Sequence, residues 1–118
     1  MDAVEMALAL NARRGMGQAD PARLRQVYEM LCIDPLAYVD LRASSGIVGR
    51  LGRDIASGAV IAQEIGWYAE DGQGVARLRG FEAWAAEQGA DAVEVCTEPG
   101  KRLDRLGYTL HSLKWRTV

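Results

Sequence analysis

Cysteine occurs twice in this chain and histidine once, and those scarcities narrow the chemistry. Cys32 and Cys96 lie far apart and in no metal-ligand spacing, so no metal site is expected. A cysteine nucleophile needs a nearby histidine, and the single one, His111, stands at no spacing that argues for the role. Both cysteines sit in apolar contexts, MLCI and VEVCT, which reads as buried free thiols in a reducing compartment. Charge of one sign is lacking too. With 14 Lys and Arg against 16 Asp and Glu the net charge is -2, which gives no reason to expect nucleic acid as a partner. No apolar run approaches the roughly 20 residues that span a bilayer. The opening MDAVEMALALNARRG places acids before its apolar residues and has no basic start, so it does not read as a secretory leader. The expected location is the cytoplasm, or a particle assembled there.

What is present is ordinary for a globular protein. The 118 residues, about half apolar and a quarter charged, predict one domain over 1–118. Residues 2–14 carry apolar positions at helical spacing and stop at Gly15, and 15–19 read as a flexible joint. Asp20 and Pro21 predict the N-cap and first position of a second helix, with Leu24, Val27, Tyr28 and Leu31 on its apolar face and an end before Pro35. The period then becomes two. Strands are predicted over 36–41, 46–51 and 59–68, joined by short connections as an antiparallel meander. In the third, Ile61, Gln63, Ile65 and Trp67 are expected on one face and Val60, Ala62, Glu64 and Tyr68 on the other.

A helix over 75–88 follows, presenting Val75, Leu78, Phe81, Trp84 and Ala85 to the sheet and closing at Gly89. Arg77, Arg79, Glu82 and Glu87 read as its solvated face. A strand over 92–97, a short helix over 101–106 and a last strand over 108–116 complete the order ααβββαβαβ, a mixed α/β sheet with helices on both faces. Trp67, Trp84, Trp115 and Phe81 read as aromatic core.

The glycine pair in Gly72-Gln73-Gly74 falls where strand turns into helix, a place where backbone N–H groups can cradle a phosphate. It can equally be what a tight strand-to-helix turn requires. Around it, Gln63-Glu64 precedes Trp67-Tyr68, Glu82-Ala83-Trp84-Ala85 precedes Gly89-Ala90, and Arg105-Leu106-Gly107-Tyr108 precedes the last strand. In order and spacing these residues resemble the GNAT superfamily of N-acetyltransferases, over about 100 residues from the first helix onward. The resemblance implies a GNAT-like fold, with Gly72, Gln73, Gly74 and Val75 at the pyrophosphate of acetyl-CoA and Glu64 as a general base acting through water. Tyr108 or His111 would be the stand-in acid.

Four departures set the chain apart from that family. Ala69 stands where the pyrophosphate loop has Arg or Gln. Only four residues separate Trp67 from Gly72, where relatives have several more that carry a bulge and a splayed strand end. Glu70 and Asp71 flank the pyrophosphate position, and Leu103 replaces the tyrosine that protonates the leaving thiolate in many relatives. The family's first strand also has no counterpart, which leaves the strand over 36–41 as a sheet edge.

Two functions follow. One is a GNAT-fold structural or interaction component of a larger assembly, for example a phage particle, with no cofactor. The other is an acetyl-CoA-dependent N-acetyltransferase of a small or protein amine. The expected partner is another protein or a second copy, met through the N-terminal helix and the edge strand 36–41, with no nucleic acid and no membrane.

Overall fold

The computed structural model describes residues 20–96, 103–111 and 114–117. The helix expected over 2–14 and the joint 15–19 lie outside the described residues. Helix α1 spans Pro21–Ile33. Asp20 caps it, accepting from the N–H groups of Ala22 and Arg23 at 3.0 and 3.5 Å. A cap of this kind contributes about 1 kcal/mol. The helix ends when Asp34 N–H turns back to Leu31 O, one residue before Pro35.

Strands β1 (Ala37–Leu41), β2 (Ser45–Arg53) and β3 (Val60–Ala69) form the expected meander. Helix α2 (Gly74–Glu87) leads to β4 (Ala92–Cys96), a 3-10 turn over Asp104–Leu106, and strands β5 (Tyr108–His111) and β6 (Lys114–Thr117). The six strands lie in the order β1-β2-β3-β4-β6-β5, with β1 at one edge of the described sheet.

The two helices cover opposite faces. Leu78, Phe81 and Ala85 of α2 pack with Ile47, Ala62, Val93 and Val95 in the larger core, which Leu103 and Tyr108 complete. Tyr28 and Leu31 of α1 pack with Val48 and Tyr68 in the smaller one. Adjacent residues Ile47 and Val48 thus serve opposite layers, as the alternation of a strand requires.

Several expectations are corrected. The last strand, expected unbroken over 108–116, is two strands that pair antiparallel with each other, and β6 sits between β4 and β5. No glycine, proline, asparagine or aspartate marks the reversal in His111-Ser112-Leu113-Lys114, so the alternation reads straight through it. Of the short helix over 101–106, the described part is the 3-10 turn alone. Val75 is exposed, because it lies in the first turn of α2 beyond the edge of the packed face. Cys32 is exposed on α1, while Cys96 is half-buried, and neither is in a disulfide.

The two-face assignment of β3 also fails partway. Val48 stands opposite Gly66 and Gly49 opposite Glu64, so Ile65 has no counterpart on β2. One extra residue shifts the alternation. Trp67 therefore joins Ala62 in the α2 core instead of facing with Ile61 and Gln63.

Candidate functional site

The bulge at Ile65 coincides with a parting of strands. β3 and β4 pair in parallel over Ile61↔Ala92, Ala62↔Val93 and Gln63↔Glu94, and no further. Beyond these pairs β3 runs on to Ala69 and β4 to Cys96 with no pairing between them among the described residues, so the two strands part in a crevice. Its inner end is fastened by polar groups. Glu94, buried, accepts from Arg116 Nε and Nη2 at 2.9 and 2.6 Å on one carboxylate oxygen, and from Gln63 Nε2 at 3.4 Å on the other. Glu64 lies at the bulge, buried in the strand that borders the crevice. The loop was too short, by its residue count, to be expected to carry a bulge and splayed end. Both features are present, set inside β3 before Trp67.

The chain next makes the turn 70–73 and enters α2. Gly72 has a φ of 76°, the left-handed region that glycine alone adopts without strain. Gly74 lies close under the strand it follows: a Cβ there would meet Ala69 Cβ at 3.3 Å, and Trp67 Nε1 donates to Gly74 O at 2.9 Å. Both glycines have a structural reason in this turn. Asp71 Oδ1 accepts the Gln73 N–H at 2.9 Å. That bond is the main cause holding the Asp71 carboxyl below the usual carboxylate range, with smaller help from Ser45 and Arg77. Glu70 accepts from the hydroxyl of Tyr68. Helix α2, unlike α1, has no side-chain cap. The N–H groups of Gly74, Val75 and Ala76 have no acceptor among the described residues and form the open positive end of the helix.

Residues that sequence reasoning passed over gather beside this end. Arg77, expected on the solvated face, is mostly buried and reaches Asp40 of β1 at 3.3 Å through Nη1, while its Nε has no hydrogen-bond partner among the described residues. Its spacing to Phe81 and Trp84, at i+4 and i+7, was the signal that it lies along the flank of the core. Ser45 is fully buried, and its hydroxyl lies near enough to Asp71 to help hold the carboxyl charged without reaching hydrogen-bond geometry.

Other expected site residues lie elsewhere. Tyr108 starts β5, and its buried hydroxyl donates to Glu82 of α2 at 2.7 Å. Burial first, and the Glu82 carboxylate second, push the Tyr108 hydroxyl pKa far above its ordinary value. Arg79 bonds Glu82 at 2.7 Å, the expected i,i+3 pair, and also reaches Leu106 O at 3.3 Å. Leu103 is core. His111 belongs to β5, and its side chain lies outside what is described. Among the described residues no cluster of three or more His, Cys, Asp or Glu could hold a metal, and no helix is long and apolar enough to cross a membrane.

No family model matches the sequence, and no curated protein does. Solved structures do. The chain is similar to a protein of Pyrococcus furiosus provisionally named an acetyl transferase, with a TM-score of 0.71 and 18% identity, over 94% of this chain and 87% of that one. It is also similar to a second protein provisionally named an acetyltransferase, with a TM-score of 0.67 and 11% identity, over 92% of this chain and 85% of that one. Likeness at such identities is likeness of fold alone, and this chain has a GNAT-like mixed α/β fold.

Proposed function

We propose that this GNAT-fold chain is a non-catalytic interaction module, a component of a larger assembly. A phage particle is one such assembly, by analogy of fold alone. The observation that carries the reading is the Asp71–Gln73 bond: a carboxylate of the chain itself occupies an N–H of the glycine loop. A pyrophosphate brought there meets like charge from Asp71 and the neighbouring Glu70. Two unit charges about 4 Å apart repel by about 4 kcal/mol at an effective dielectric of 20. A helix N-terminus returns about 0.3–1 kcal/mol, at most ~2. No arginine replaces Ala69 to shift that balance. The remaining chemistry is thin as well, since Leu103 is core and the Tyr108 hydroxyl is engaged with Glu82.

A second reading is an acetyl-CoA-dependent N-acetyltransferase. It is favoured by the crevice between β3 and β4 and by the open amides of Gly74, Val75 and Ala76. In that reading the residues 72–75 hold the pyrophosphate, acetyl-CoA supplies the acyl group, and buried Glu64 takes the proton of the amine through water. Calorimetric titration with acetyl-CoA separates the two. The module reading expects no heat of binding, or a dissociation constant above about 1 mM, and a micromolar constant overturns it.

A further inference from the structure

Helix α1 turns Leu24, Tyr28 and Leu31 toward the sheet, yet its outer side is apolar as well. Val27, Met30 and Ile33 are 41, 64 and 83% exposed. Three large aliphatic side chains left in water on one short helix mark an interaction surface. Their neighbours say of what kind. Arg23 lies four residues before Val27, Met30 three after it, and Asp34, the C-cap, four further on. Spacing of four, three and four sets all four residues on one strip along the helix, the spacing of a helix–helix seam.

Along that strip the chemistry runs cation, apolar, apolar, anion. A two-fold rotation across the helix axis turns it into anion, apolar, apolar, cation, which is its own complement. Two such helices laid antiparallel bring Val27 of one copy against Met30 of the other, twice, and Arg23 of one against Asp34 of the other, twice. We propose that α1 pairs in this way with α1 of a second copy of the chain. Arg23 has no ionic partner among the described residues. Asp34 already accepts from Arg50 Nε and from Leu36 N–H, both at 2.8 Å, and a carboxylate has lone pairs for a further guanidinium. The parallel arrangement is disfavoured, because it sets Arg23 on Arg23 and Asp34 on Asp34. A single short helix pair buries less than the ~1,200 Å² of a stable interface, so the contact is weak and reversible. The inference stands whether or not acetyl-CoA binds, since α1 and the glycine loop belong to different parts of the fold.

Sedimentation velocity of the full chain from about 10 μM to about 1 mM tests it, the range over which a contact this small assembles. The expected result is a monomer–dimer equilibrium that weakens with salt. Met30→Glu is expected to weaken association at least ~10-fold. Arg23→Asp alone and Asp34→Arg alone should each be monomeric, and their mixture should recover a dimer, because both end pairs are then of opposite sign again. If Asp34→Arg unfolds through loss of its Arg50 and Leu36 bonds, the Met30 methyl resonance of the unaltered chain decides instead, by shifting with concentration. A chain monomeric at every concentration overturns the proposal. So does any association, dimeric or larger, that survives Met30→Glu or leaves the Met30 methyl unmoved.

Discussion

The hydroxyl of Tyr108 donates to Glu82 Oε2 at 2.7 Å, joining the first residue of β5 to the middle of α2. With Arg79 bridging Glu82 to Leu106 O, this bond fastens the C-terminal part of the sheet to the helix that follows the glycine loop. Tyr108→Phe keeps the buried ring and removes the bond. We expect a stability loss of about 1.5–3 kcal/mol, the range for a hydrogen bond to a charged group, read by urea denaturation. No loss would mean that Glu82 is satisfied by Arg79 alone.

The same bond has a sign in pH. The folded chain holds the Tyr108 hydroxyl neutral well above its ordinary range, by burial and then by Glu82. The contribution to stability is full below the unfolded tyrosine value of ~10 and is lost as pH rises toward the folded one. Stability of the unaltered chain should therefore fall between about pH 10 and 11.5 more steeply than that of Tyr108→Phe. Parallel curves in that window would assign the alkaline loss to other groups.

Asp71 offers a test of charge without change of shape. Asp71→Asn keeps an Oδ1 that can accept the Gln73 N–H and removes the negative charge beside the open amides of α2. Combined with Glu70→Gln, it is expected to tighten binding of acetyl-CoA or inorganic pyrophosphate at least ~10-fold in calorimetry. Equal affinity would show that the acids do not oppose an anion. The carboxyl pKa of Asp71 is lowered, chiefly by the Gln73 N–H, so its share of stability is present above the unfolded value of ~3.9 and lost as pH falls through the lower folded one. Near neutral pH it stays charged, and anion affinity should not vary with pH on its account.

Glu94 and Arg116 hold the inner end of the crevice. Arg116→Ala takes the guanidinium from a carboxylate whose side chain is 5% exposed, and is expected to cost about 3 kcal/mol, the low end for a broken buried pair because Arg116 itself is 33% exposed. Thermal unfolding checks it, and a loss below about 1 kcal/mol, the range of exposed-site changes, would mean that the ion pair is not what holds this end.

The legible parts of this fold were those in which local chemistry and tertiary packing agree. Asp20-Pro21 named the start of α1, and Leu78, Phe81 and Ala85 named the buried face of α2. The β5–β6 reversal was hidden because residues 111–114 carry no glycine, proline, asparagine or aspartate and Ser112 also fits the strand alternation, and the bulge at Ile65 because it is a property of pairing with β2 and not of β3 alone. Arg77 was misread since a charge on a helix is solvated by default, and only the third dimension shows Asp40 beside it. The candidate site was legible as a loop and two acids. That Asp71 turns onto Gln73 while the next three amides stay open depends on backbone angles that no residue count supplies.

The bulge makes a further prediction at Gly49, which stands opposite Glu64. A Cβ at Gly49 would lie 2.3 Å from both Cε1 and Cζ of Phe81 and 2.9 Å from Gln63 O. The Phe81 ring is fully buried, with Tyr38 and Trp84 each at 5.8 Å between centroids, so it has no open side to which it can retreat. Gly49→Ala is therefore expected to destabilise by about 1–3 kcal/mol or more, as overpacking does. The cause can be isolated by pairing it with Phe81→Leu, which by itself loses aromatic contact but makes room. Over the four chains of that cycle, the two changes together should cost less than their sum, by at least ~1 kcal/mol. Costs that simply add would place the strain on the strand backbone at Gln63 instead of on the ring.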